Sequence, residues 1–140
     1  MDTLFVVEEV DEPSPRVVDQ RVRNRIIEVL ETLACGNAAV EDMGAVEWFN
    51  SFFDWVDDTA PWDWRTLTTL DSAEIQDIDN VLDLMNEAVS ATPRRVSEEQ
   101  LMASGWPERV RPIAARAVER MTSRGRFSEE VEEREPGKSL

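Results

Sequence analysis

The sequence predicts an all-α protein, a bundle or orthogonal array of four to five helices. Apolar residues recur at three- and four-residue spacing along four separate stretches. Two helix starts are spelled out by a capping box set inside a hydrophobic staple. Helical patterns follow one another through short connections, with no alternating strands to suggest a parallel sheet.

Residues 1–15 read as an acidic leader. Its one β-prone run, Leu4 to Val7, is too short to fold alone and either docks as a short strand or stays loose. Ser14-Pro15 then places serine at an N-cap and proline at the first helical position, opening a helix that runs to about Ala34. Val18, Val22, Ile26, Val29, Leu30 and Leu33 form its apolar stripe, and Gly36 is its terminator. Asn37 is suited to cap a short turn through Ala38-Ala39-Val40, which Gly44 interrupts.

A second long helix is expected from about Ala45 to Asp58. Val46, Phe49, Phe53 and Val56 make one face, and Trp48, Phe52 and Trp55 an adjacent one. A helix apolar over that much of its circumference is central to a core or carries an interface. Residues 59–70, with Pro61-Trp62-Asp63-Trp64, read as a connection.

Asp71 and Glu74 stand three apart as a capping box, with Leu70 and Ile75 as the staple. The helix they open buries Ile75, Ile78, Leu82, Met85 and Val89, with Val81 beside them. Asp77, Asp79, Asp83 and Glu87 fall on its solvent side, and Pro93 ends it. Val96-Ser97 with Gln100-Leu101 repeats the pattern and opens a short helix that closes at Ser104-Gly105. Pro107 starts the last helical region, which runs to Arg124. Pro112 is expected to split it into a turn and a helix carrying Ile113, Ala117, Val118 and Met121. The organisation is thus a leader over 1–15, a helical domain over 16–125 and a charged tail over 126–140 expected to be disordered. Val22, Ile26, Val29, Leu33, Phe49, Phe53, Ile78, Leu82 and Met85 are the expected core.

Length and composition fit a globular chain with a strongly solvated surface: 140 residues, 41% hydrophobic and 32% charged. A single cysteine, Cys35, excludes an internal disulfide and favours a reducing compartment; it is expected as a half-buried packing residue. No apolar run is long enough to span a membrane, and the N-terminus lacks the basic start of a signal peptide, so the expected location is cytoplasmic. Fourteen arginines to one lysine suggest a GC-rich, bacterial genome.

Charge is unevenly placed. The net charge is −15, and residues 37–93 carry −12 of it, with thirteen acids against Arg65 alone. The same stretch holds four of the five tryptophans and three of the five phenylalanines. An acidic, aromatic segment suits a basic protein partner and repels nucleic acid. Residues 16–36 net +1 and residues 94–125 net +3, as expected of helices that flank the acidic middle and offset its repulsion.

Without histidine or tyrosine, triads and pairs that need an imidazole base are excluded, as are Cys/His zinc sites. No glycine-rich phosphate cradle occurs. Asp77-Ile78-Asp79-Asn80 places oxygens at the first and third positions of a calcium loop but lacks the sixth-position glycine. No cofactor, metal site or catalytic residue is expected, and the chain reads as a non-enzyme.

In size, acidity and lack of catalytic residues the chain resembles bacterial immunity proteins, which bind and neutralise a toxin. The likeness is one of type and carries no residue across. It implies a non-catalytic cytoplasmic binding module that engages a basic protein. The expected partner surface is Asp57, Asp58, Trp62, Asp63 and Trp64, where rings and carboxylates coincide, with no direct nucleic-acid or membrane contact. The alternative is a DNA-mimicking inhibitor whose carboxylates imitate phosphates. Least expected is an enzyme using paired carboxylates with magnesium or manganese.

Overall fold

A computed structural model describes residues 12–57 and 63–137. Six α-helices account for more than half of the chain: α1 (Pro15–Leu33), α2 (Asn37–Met43), α3 (Ala45–Phe53), α4 (Ser72–Ala91), α5 (Glu98–Ser104) and α6 (Trp106–Arg124). A 3-10 turn, Trp64–Thr66, lies between α3 and α4. The all-α expectation holds for the described residues. The Leu4–Val7 run lies outside them.

The local start signals work as written. Ser14 accepts from the Val17 amide at 3.2 Å. Both hydrogen bonds of the capping box are present at Asp71/Glu74 and again at Ser97/Gln100. The start of α2 differs. Gly36, at φ +62°, is its N-cap, and Asn37 is its first residue rather than its cap. The orphan Asn37 amide donates instead to Glu108 of α6 at 2.9 Å, so the cap comes from across the fold. That bond, with Arg111 beside it, holds the Glu108 carboxyl below its ordinary pKa.

Helix α6 is the hub, packed along both α1 and α4. Val110, Ala114, Ala117 and Met121 are its buried row, and small residues at two of those four places let its neighbours approach. Pro112 does not split it: α6 is continuous from Trp106 to Arg124. Pro112 and Glu108 both lie on the exposed side, where the carbonyl that loses its partner faces solvent.

Three helices are tied by a buried ion network. Arg23 of α1 and Glu74 of α4 are both fully buried and meet at 2.7 Å. The other Glu74 oxygen accepts from Arg124 of α6 at 2.7 Å and from the Asp71 amide at 3.0 Å. Arg23 also donates to the carbonyls of Gly125 at 2.7 Å and Met121 at 3.2 Å. Arg124 reaches the carbonyl of Thr69 at 3.0 Å. Asp77, expected on the solvent side of α4, is 6% exposed and takes a 2.5 Å hydrogen bond from Arg120.

The tail is the largest departure from expectation. Residues 126–137 are folded onto α1 instead of being disordered. Arg16, Gln20, Arg21 and Asn24 donate to the carbonyls of Glu133, Ser128, Glu129 and Phe127 at 2.7–3.0 Å. The Glu133 amide donates back to Gln20 at 2.7 Å. Phe127 is 3% exposed, and the guanidiniums of Arg16, Arg23 and Arg124 stand 5.1, 5.2 and 5.7 Å from its ring centroid. Glu129 takes the Asn24 amide and pairs with Arg25, and these contacts lower its carboxyl pKa. The polar tail lacks apolar periodicity, but α1 supplies the donors its backbone needs.

This second contact alters which residues of α1 are buried. Ile26, Leu30 and Leu33 face the core as expected, joined by Val17 and Ile27. Gln20, Arg23 and Asn24 are buried too, within the contacts just described. Val22 and Val29 are half-buried, and Val18 is exposed. On α4, Ile78, Leu82 and Met85 are buried as expected, with Val81 and Ala88, while Val89 is exposed. Cys35 is exposed, not half-buried.

On α3 the two apolar faces exchange roles. Trp48, Phe52 and, just past the helix end, Val56 are fully buried, whereas Phe49 and Phe53 are half-buried. Phe52→Ala should therefore cost about 3–5 kcal/mol, and Phe53→Ala roughly half as much, in urea denaturation. Equal costs would show that both rings belong to the interior. Glu74→Ala should cost about 3–5 kcal/mol, because Arg23 is left buried without its counter-ion. The double variant Arg23→Met/Glu74→Leu should be less destabilised than Glu74→Ala alone, and an equal or larger loss would contradict that cause.

Candidate functional site: an apolar groove beside α3

A groove of about 610 Å³ lies between α3 and the C-terminal end of α4. Val46, Phe49, Asn50 and Phe53 line one wall at three- and four-residue spacing, and Asp57 continues it. Asn86, Val89, Thr92, Pro93, Arg94 and Val96 line the other. The groove exists because Pro93 stops α4 and turns the chain toward α5, leaving the outer face of α3 uncovered.

The rings in this wall are braced from behind. Phe49 sits edge-on to buried Trp48 with centroids 5.0 Å apart, and Phe53 edge-on to buried Phe52 at 5.4 Å. Each outer ring thus rests on a fixed inner one. Val46 and Val89 at the groove are 61% and 48% exposed, two of the four large aliphatic residues so placed among the described residues. Exposed apolar groups gathered at one opening mark a surface that can bury them against something else.

The expected partner residues are divided by the structure. Asp57 is half-buried and lines the groove, whereas Asp58 and Trp62 lie outside the described residues. Asp63 is exposed but serves as the N-cap of the 3-10 turn, accepting from the Arg65 amide at 3.0 Å. Trp64 is fully buried in the hydrophobic core, so it cannot serve as an exposed anchor. Its segment is pulled inward because Thr68 and Thr69 hydrogen-bond to Asp19 of α1, which seats the Trp64 ring beneath Arg65 at 4.6 Å. Sequence reasoning placed Phe49 and Phe53 in the core and Val89 in the buried stripe of α4. The excess apolar circumference of α3 was the signal that could have found the groove.

Asp57 is the one carboxylate among the residues lining the groove, and Arg94 lines it as well. Glu47 and Asp54 are exposed on or beside α3, and Asp83 and Glu87 on α4; none of the four forms an ion pair among the described residues. Asp79 differs, since Arg65 pairs with it at 2.5 Å. The calcium-like stretch is helical, with Asp77 and Asp79 held by Arg120 and Arg65. Among the described residues no group of acidic or cysteine side chains could hold a metal ion, and no helix is long and apolar enough to cross a membrane. No protein-family model, characterised protein or solved structure shows significant similarity to the chain.

An open groove contributes little to folding stability. Val46→Asp should leave stability within about 0.5 kcal/mol of the parent. It should also lower the fluorescence of an apolar dye bound to the folded protein, and a large loss of stability would show Val46 to be packed.

Proposed function

We propose that the protein is a non-catalytic, cytoplasmic binding module that engages a basic protein partner through an acidic–aromatic surface. Its most concrete form is an immunity- or antitoxin-like inhibitor. One observation supports this most: braced rings and exposed valines open onto a groove, and exposed carboxylates stand elsewhere on α3 and α4. The carboxylates would steer a cationic surface inward, and the apolar wall would supply the affinity on contact. The anchors in this reading are Phe49, Phe53, Val46 and Val89 with Asp57, and Trp64 takes no part.

The test is capture of a basic protein from the source lysate at low and moderate salt, with Val46→Arg/Val89→Arg as the control bait. The parent should retain such a protein at both salt levels. The variant should lose it while keeping its helical circular dichroism. A toxic reading frame beside the gene, relieved by co-expression, would identify that protein as a toxin. Undiminished binding by the variant would place the interface elsewhere. Steep release from both baits as salt rises would favour DNA mimicry along the acidic face of α4.

A further inference from the structure

We infer that the face of α1 now covered by the tail is a second binding site: a receptor for an acidic segment bearing an aromatic residue, occupied here by the chain's own residues 126–137. It lies on different residues from the groove and does not depend on the groove's function.

The receptor addresses main chain more than side chain. Gln20 donates to the carbonyls of Ser128 and Val131 and accepts from the Glu133 amide. Arg16 donates to the carbonyls of Glu133 and Arg134, Arg21 to that of Glu129, and Asn24 to that of Phe127. Donors that read carbonyls accept any chain able to take the same path. Gln20 is fully buried and Asn24 is 3% exposed, so these donors are fixed by their surroundings.

Two side chains supply selectivity. The Phe127 ring fills the space among three guanidiniums, and Glu129, two residues on, takes Asn24 and Arg25. The segment also organises itself, since the Ser128 amide donates to Glu133 at 2.7 Å and the Ser128 hydroxyl accepts from the amides of Glu130 and Val131. The ligand class is therefore an aromatic residue, a small polar residue and an acid, followed by a further carboxylate. Little apolar surface holds the tail besides Phe127 and Pro136, as Val131 is 60% exposed. A segment held mainly by charge and carbonyl contacts can be replaced by another of the same chemistry.

The test uses the full chain carrying Phe127→Ala, which loosens the tail and leaves every α1 donor in place. The probe is a fluorescently labelled peptide of residues 125–137 with the parent sequence, followed by anisotropy. The peptide should bind the variant at least about tenfold more tightly than the parent chain, whose own tail competes at high effective concentration. A peptide lacking the aromatic ring should not bind, and adding Arg21→Ala to the receptor should weaken binding. Equal binding to parent and variant, or none to a variant of unchanged helicity, would overturn the inference. If Phe127→Ala does not fold, Glu129→Ala, which spares the ring, takes its place. If neither folds, the tail is an inseparable part of the core and the inference fails.

Discussion

Glu74 holds the architecture in register. One carboxylate closes the capping box of α4, neutralises fully buried Arg23 from α1 and takes Arg124 from α6. A hydrophobic core tolerates helices that slide by a fraction of a turn, because apolar contacts carry no direction. A buried carboxylate with three donors does not, since each displacement leaves a polar group without its partner. Such an arrangement adds modest net stability over an apolar core, and what it supplies here is alignment of three helices and the tail at one point.

The same chemistry explains the segregation of charge. Arg23, Arg120 and Arg124 are engaged inside or along the α1–α4–α6 contact, and Arg16, Arg21 and Arg25 at the tail. Elsewhere, Arg94 lines the groove beside α3 and Arg65 pairs with Asp79 on α4.

What could be read from the sequence is what is decided locally. Ser14, Asp71 and Ser97 announce helix starts because a cap and its target lie three residues apart in the chain. Ile26, Leu30, Ile78 and Leu82 are legible because helical spacing alone sets their common face. Trp64 was not legible, since its burial follows from threonines four and five residues later that bond to Asp19. Nor was the exchange between Phe49 and Trp48, because a helix apolar on two faces does not say which one its neighbours leave open. The tail was hidden for a different reason: donors on α1, more than 100 positions away in the chain, satisfy its carbonyls.

The tail's beginning and end meet. Arg126 and Gly137 form an isolated antiparallel bridge, with the Gly137 amide 3.1 Å from the Arg126 carbonyl. Gly125, at φ +118°, lets the backbone turn there, and a side chain on it would strike the Gly137 carbonyl. Residues 126–137 therefore form an Ω-loop, closed at its neck by a single glycine-to-glycine approach. A loop closed on itself can detach as one cooperative unit without unravelling α6 behind it. A bulkier residue at Gly125 would prise open the neck of the loop.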